Sequence, residues 1–320
     1  MDAEPERLTL PEREFDAVDY FVHERGRPPA PPPTLAFHLD SGLDQPGMAA
    51  VFGGVVADLA ELFNRTAHPA PAPHSLGFSV RLGRLGGGRY THGTVAELLG
   101  ELRAGTLDRW EVTFAAGRTD SIAALIGQAL PDRPDASVQL SLIAHPPVWP
   151  PQDCDAVAEH LLDLVRNWAG PLDLLWGAVT LDQGGTPATP YERWYRLRPH
   201  DTAPLAREYA RGYYWANLLT AGHLARIGSD GLQRRAADDG IRVEPVADVQ
   251  PGRGTVIVRS TAPISQFDDE RLAVMKQLLA PVLIPAQYRQ YEGYPLRIIP
   301  DPGTAFRTVP PGTPRPLLTP

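Results

Sequence analysis

Cysteine and lysine are almost missing from this sequence of 320 residues, in which Cys154 and Lys276 are the sole examples. A single cysteine cannot form an internal disulfide or a zinc site built from several thiolates. The net charge of −8 lacks the cationic excess with which nucleic-acid-binding proteins neutralise phosphates. We therefore expect no internal disulfide and no nucleic-acid partner.

A recognisable targeting or membrane-spanning segment is also missing. The first residues, MDAEPERLTLPERE, are acidic and have neither the basic start nor the apolar run of a signal peptide. No stretch approaches the roughly 20 apolar residues that are needed to cross a bilayer. The sequence therefore predicts a cytoplasmic protein with no membrane partner.

Catalytic and nucleotide-binding motifs are incomplete wherever they begin. The stretch GFSVR around Ser79 starts like a nucleophile elbow but has Arg81 where the closing glycine belongs. Cys154 begins a predicted helix, yet His160 lies on the opposite side of that helix, so no local Cys/His pair forms. The loop Gly83–Thr94, GRLGGGRYTHGT, has neither GxGxxG spacing nor a GK[ST] ending, and it is interpreted as a hairpin or crossover loop.

Metal-ligand spacing is equally weak. The sequence has nine histidines, and none of them forms an HxH, HxxxH or HExxH pattern with another. His38 and Asp40 lie two apart on a predicted strand and face the same side, which suits a metal but is more often a polar edge. We expect no metal, no cofactor and no catalytic residue.

Proline is abundant, with 35 residues concentrated towards both ends. The run GRPPAPPPT fixes φ and removes backbone donors, so residues 1–34 are predicted to be a proline-rich arm and 300–320 a proline-rich tail. Between them, the sequence predicts two α+β halves at 35–150 and 151–299. The order of elements in the two halves is similar enough to leave a duplication open.

Hydrophobic periodicity switches repeatedly between 2 and 3.6, which predicts mixed strands and helices. Strands are predicted for residues 35–39, 76–82, 110–114, 138–142, 172–181, 191–199, 241–246 and 255–259. Helices are predicted for residues 48–63, 94–102, 122–129, 154–168 and 268–279. The fold class is α+β, with helices on one face of a mainly antiparallel sheet.

The segment RGYYWANLLTAGHLARIGSDG changes from an extended to a helical pattern. In the extended part, Tyr213 and Trp215 are predicted to face the core, which places Tyr214 and the preceding Arg211 on the outward side. A short helix follows Thr220 and ends at a glycine in a conformation with positive φ. Our candidate partner-binding residues are these two outward residues, Arg211 and Tyr214, together with Asn217.

The same segment and its continuation, with VEPVAD, GTVIVRST and LAVMKQLLAPVL, resemble the C-terminal part of a family of type VI secretion immunity proteins. The resemblance covers about a quarter of the chain, and the first half shows none of it. The matching positions are Gly212, Tyr213, Trp215, Asn217, Leu218, His223, Leu224, Ile227, Gly228, Leu278, Leu279, Pro281 and Leu283. It implies a cytoplasmic protein that neutralises an effector toxin by binding it, without cofactor or catalytic residues.

The sequence therefore predicts a non-catalytic binding protein of the immunity (antitoxin) type. Its acidic charge suits a basic effector toxin, because opposite charges speed encounter. Two alternatives remain open: an enzyme with a dispersed active site, and a scaffold that docks through its proline-rich arms. A deep pocket with perturbed acids would favour the enzyme, and a flat face of aromatic and arginine side chains would favour the binding protein. The oligomeric state is left open.

Overall fold

A computed structural model describes residues 34–66, 76–85, 90–116, 120–129, 138–144, 153–182, 188–195, 197, 199–246 and 254–284. The proline-rich arm, apart from its last residue, and the proline-rich tail lie outside the described residues. Their boundaries, and those of the two halves, stay predictions.

Ten strands form one sheet in the order β3-β2-β4-β5-β6-β1-β7-β8-β10-β9. Each neighbouring pair in this sheet is antiparallel. The strands are β1 (Thr34–Ser41), β2 (Leu76–Arg84), β3 (Tyr90–Gly93), β4 (Leu107–Ala116), β5 (Asp120–Ala129), β6 (Val138–Ala144), β7 (Leu174–Asp182), β8 (Ala216–Leu219), β9 (Arg242–Pro245) and β10 (Val256–Arg259). Because β1 lies between β6 and β7, the sheet runs through both predicted halves.

Eight α-helices accompany the sheet in the described part of the chain. They are α1 (Gln45–Thr66), α2 (Val95–Ala104), α3 (Cys154–Trp168), α4 (Pro190–Tyr195), α5 (Pro199–Thr202), α6 (Ala221–Ile227), α7 (Ser229–Asp238) and α8 (Asp269–Leu279). Helices and an antiparallel sheet together confirm the predicted α+β class.

The longest helix, α1, packs on the sheet within the main core. Its residues Phe52 and Phe63 are fully buried, and their rings meet Trp110 and Phe114 of β4 at 6.1 and 4.9 Å. Helix α3 packs beside it, where Trp168 meets Phe37 of β1 edge-on at 5.8 Å. By length and composition α1 would also be able to cross a membrane, but a buried core helix passes the same test.

The strands of the sheet centre alternate strictly, so their polar residues share the face opposite α1 and α3. On β1, Leu35, Phe37 and Leu39 belong to the main core, whereas His38 and Asp40 point away from it, as predicted. Residues 188–195 and 199–215 cover this polar face, because Arg211 reaches Asp40 and the Pro199 carbonyl accepts a hydrogen bond from Gln139. Both faces of the sheet centre are therefore buried.

Two predicted elements are wrong. Residues 122–129 form part of strand β5, not a helix, because this alanine-rich run pairs along its length with β4 and β6. Gly127 is part of the reason: a Cβ there would lie 2.0 Å from Trp110, so the strand passes directly over that ring. Residues 190–195 form helix α4, not a strand. The backbone N–H of Thr189 donates to the Glu192 carboxylate, and the backbone N–H of Glu192 donates to the Thr189 hydroxyl. This capping box, together with Pro190 at the first helical position, is a helix start signal that the sequence TPYE contains.

Candidate functional site

The three candidate partner-binding residues are buried. Arg211 and Tyr214 are 1% exposed and Asn217 is 0% exposed, so the predicted outward side is wrong for Arg211 and Tyr214. Tyr213 and Trp215 are buried as predicted. That these three side chains contact a partner stays a prediction, and their burial offers a partner no surface in this conformation.

The physical reason for this burial lies at Gly212, whose φ of +144° lets the chain bend where a straight strand was expected. The bend folds Tyr214 back, so that its hydroxyl donates to the Arg211 carbonyl at 3.1 Å. A Cβ on Gly212 would lie 2.2 Å from that hydroxyl. Asn217 then ties the bend to β8, since its side chain exchanges hydrogen bonds with the backbone of Tyr214.

Arg211 is the centre of a buried ion cluster. Its Nε and Nη2 donate to the two oxygens of Glu192 at 2.6 and 2.7 Å. Its Nη1 lies 2.8 and 3.1 Å from the two oxygens of Asp40. The guanidinium also lies over the Trp176 ring at 5.6 Å. One cation thus joins α4 to β1 across a buried contact.

The pKa values of the two carboxyl groups in this cluster are shifted in opposite directions. Burial raises the pKa of Asp40, although Arg211 and Gln139 both donate to it. Burial also opposes ionisation of Glu192, but the charge and hydrogen bonds of Arg211 outweigh it and lower the pKa of that carboxyl. Arg211 is held in its charged form, its pKa raised by the two carboxylates. The cluster therefore works as a structural clamp around the charged Arg211.

Beside the clamp, His38 connects a serine and an aspartate on the neighbouring strands. His38 Nδ1 lies 3.0 Å from Ser141 Oγ, and Nε2 lies 3.1 Å from Asp182 Oδ2. The residue types are those of a hydrolytic triad. Ser141 is only 1% exposed, however, so a substrate cannot reach its hydroxyl in this conformation. We interpret the three as a satisfied polar core.

Other reactive groups give no catalytic arrangement in the part of the chain that is described. Cys154 is half-buried, and burial together with Asp155 and Asp153 raises the pKa of its thiol. Within the described residues, His, Cys, Asp and Glu form no group of three that could hold a metal ion.

An exposed face of aromatic and arginine side chains lies at the other end of the sheet, on β2, β3 and β4. We call it the Tyr90 face and define it by Arg81, Tyr90, His92, Arg109 and Glu111. The guanidinium carbons of Arg81 and Arg109 lie 4.6 and 5.8 Å from the centre of the Tyr90 ring. Tyr90 remains 37% exposed. In the sequence, the residues of β3 had been interpreted only as part of the loop Gly83–Thr94.

Glycine makes this arrangement possible. Gly83 on β2 pairs with both Tyr90 on β3 and Arg109 on β4. A Cβ at Gly83 would lie 3.2 Å from the Tyr90 ring, so the missing side chain lets the tyrosine lie across β2 towards Arg109. This partial burial raises the pKa of the Tyr90 hydroxyl, which keeps it protonated and able to donate.

The charges of the Tyr90 face are not fully matched. Arg81 contacts Glu111 at 3.4 Å, and Thr113 donates to the other oxygen of Glu111. Arg109 has no ion pair in the described structure, and its buried Nε has no hydrogen-bond partner. The face therefore carries two guanidinium groups, Arg81 and Arg109, and one carboxylate, and an incoming carboxylate would complement this excess of positive charge.

A groove of about 380 Å³ borders the same strand on the helix side. It runs between β3 and α2 and is lined by Leu82, Arg84, His92, Glu97, Gly100, Glu101 and Ala104. Its charged residues are engaged: Arg84 holds Glu101 at 2.6 Å, and Glu97 caps the backbone of Thr94. Small residues of α2, Gly100 and Ala104, leave the room beside β3.

Comparison with known proteins adds a likeness in fold. No protein-family model matches this sequence, and no curated protein is similar to it. Among solved structures, Pseudomonas aeruginosa T6SS protein PA0821 has a similar fold, with a TM-score of 0.51 and 14% sequence identity. The similarity covers 78% of this chain and 76% of that chain. At this identity the likeness extends to the fold alone.

Proposed function

We propose that this protein is a non-catalytic binding protein of a type VI secretion system, an immunity protein that neutralises an effector toxin in the cytoplasm. The Tyr90 face is its contact surface. The observation that carries the proposal is the exposed Tyr90 ring between the guanidinium groups of Arg81 and Arg109, since tyrosine and arginine are enriched among the residues that dominate binding energy at interfaces.

Two further observations support this function. The fold is similar to that of a T6SS protein, and residues 211–283 resemble the C-terminal part of an immunity family. The buried Ser141 gives the enzyme alternative no accessible nucleophile, whereas the Tyr90 face matches the flat aromatic and arginine surface expected of a binding protein.

The net charge of the partner and the charge of its contact surface are expected to differ. The net charge of −8 steers a basic effector towards this chain over long distances. The contact itself is different, because the Tyr90 face presents two guanidinium groups, Arg81 and Arg109, and only one carboxylate, Glu111. We therefore expect an acidic patch on the effector where it meets the Tyr90 face, whatever the sign of its total charge.

The test is co-expression with the product of the adjacent gene, taken as the toxin, together with calorimetric binding of the two purified proteins. Wild type should restore growth, and Arg109→Gln should weaken binding roughly tenfold or more while leaving the melting temperature unchanged. Arg103→Gln is the matched control, since Arg103 is exposed on α2 and outside the Tyr90 face. If wild type forms no complex with the toxin, the immunity function is wrong.

A further inference from the structure

A threonine hydroxyl beside the Tyr90 face fixes one of its charged groups. Thr113 and Glu111 are two apart on β4 and therefore point to the same side of the sheet. The Thr113 hydroxyl donates to Glu111 Oε1 at 3.0 Å. Glu111 Oε2 accepts from Arg81 Nη1 at 3.4 Å, and Arg81 is the direct cross-strand partner of Glu111. Each oxygen of this carboxylate has a donor, so rotation about its last torsion would break one of the two contacts.

Arg81 is the next side chain in this series of contacts. Its guanidinium carbon lies 4.6 Å from the centre of the Tyr90 ring, closer than that of Arg109 at 5.8 Å. A guanidinium over the face of an aromatic ring is attracted by the quadrupole of the ring. The ring and Glu111 thus restrict, from two sides, a long side chain that would otherwise sample many rotamers.

The exposure of the two charged side chains shows which of them a partner meets first. Arg81 is 42% exposed, whereas Glu111 is only 17% exposed. The 3.4 Å between them is longer than a good charge-assisted hydrogen bond, so Glu111 orients Arg81 without saturating it. A guanidinium carries five N–H donors, and a carboxylate can accept from two of them in parallel. The group that fits Arg81 is therefore a carboxylate of the partner.

We propose that Thr113 is a positioning residue of the Tyr90 face, an inference that rests on the proposed function. By fixing the Glu111 carboxylate, Thr113 holds Arg81 on the Tyr90 ring in the free protein, in the place where Arg81 donates to a carboxylate of the effector. A side chain that is ordered before binding loses less conformational entropy on binding, which raises the affinity. Thr113 itself does not touch the effector.

The first test needs no effector and follows Arg81 directly by nuclear magnetic resonance. In the full chain with isotope-labelled arginine, the Nε–H signal of Arg81 is the one that Arg81→Gln removes. The ring current of Tyr90 should displace this signal, and Tyr90→Leu should abolish the displacement. Thr113→Val keeps the shape of the side chain without its hydroxyl, and it should move the signal towards its position in Tyr90→Leu. Thr113→Ser keeps the hydroxyl and should leave the signal at the wild-type position.

Ser79→Ala is the matched control for this test. Ser79 is the direct cross-strand partner of Thr113, and its exposed hydroxyl does not donate to Glu111 in the described structure. Glu111→Gln is a second variant, which should displace the Arg81 signal as Thr113→Val does, because an amide nitrogen cannot accept a hydrogen bond from Arg81. An Arg81 signal that stays at the wild-type position in Thr113→Val, or that moves as far in Ser79→Ala, would overturn the positioning role.

With the product of the adjacent gene as the effector, calorimetry measures the consequence for affinity. Thr113→Val should weaken binding by about two- to tenfold, the range that corresponds to ordering one long side chain, and Thr113→Ser should restore the wild-type affinity. In an Arg81→Gln background, Thr113→Val should have no further effect, because the side chain that it positions is gone. An undiminished effect in that background would refute action through Arg81.

These outcomes are separable from those of the proposed function. If the effector does not bind, the immunity function is wrong, and the Arg81 signal still tests the positioning role. If the effector binds but Thr113→Val leaves both the signal and the affinity unchanged, the positioning role is wrong and the immunity function stands.

Discussion

Replacing Arg211 with alanine is the sharpest test of the fold at its polar centre. The substitution removes four hydrogen bonds to carboxylate oxygens, two to Glu192 and two to Asp40. Both carboxylates are fully buried and would remain so. Glu192 keeps Thr189 and Thr202 as donors, and Asp40 keeps Gln139. None of these donors carries a positive charge.

The expected loss of stability follows from the charge left behind. Removing one partner of a buried ion pair costs about 3–5 kcal/mol, because the remaining charge is uncompensated. Here one cation is shared by two carboxylates, so we expect the upper part of that range.

Urea denaturation near pH 7 measures this loss. The matched control is Arg65→Ala, because Arg65 is 70% exposed and pairs with Glu61 on α1. An exposed pair of this kind should change the free energy of unfolding by less than about 1 kcal/mol. The triple variant Arg211→Leu, Asp40→Asn, Glu192→Gln should recover more than half of the loss, since no buried charge remains. An Arg211→Ala protein as stable as the control would refute the clamp.

Three further predictions concern other buried positions. Trp215→Ala should lower the free energy of unfolding in urea by about 3–5 kcal/mol, because it removes a fully buried ring; an unchanged value would contradict its core position. Burial lowers the pKa of His223 to about 4, so wild type should lose roughly 3 kcal/mol as pH falls from about 6.5 to 4. His223→Gln should flatten that dependence, and an equal slope would exclude His223 as its source. Gly127→Ala should destabilise the protein by about 2 kcal/mol or more, because the new Cβ clashes with Trp110. Gly53→Ala on α1 should stabilise it by about 0.5–1 kcal/mol, because open space surrounds that position. Thermal melts that rank the two variants in the opposite order would refute this packing.

Local patterns were sufficient where one face of an element is buried and the other is not. The predicted helix 154–168 coincides with α3, whose apolar residues recur every three or four positions. Thr94 and Asp268 start α2 and α8 as capping residues do, each with its side chain accepting a backbone hydrogen bond.

Local patterns failed where both faces are covered or where the composition is ambiguous. The run 122–129 is mostly alanine and apolar residues, which suits a buried helix as well as a central strand. Pairing with β4 and β6 determines that this run forms a strand. Tyr214 was expected to be exposed, because alternation of side chains assumes that one face of a strand contacts solvent. The bend at Gly212 and the burial of the surrounding residues leave Tyr214 without a solvent-exposed face.

The sequence by itself determined the α+β class and most of the elements, because periodicity and caps act over a few residues. It also limited the chemistry, since none of its incomplete motifs predicted a catalytic or metal site. Tertiary structure alone decided which side chains meet: Arg211 binds Asp40 across 171 positions, and Tyr90 meets Arg109 only because Gly83 lies between them. Such contacts depend on strand order and register, which are set by the cooperative packing of the whole sheet and leave no local trace in the sequence.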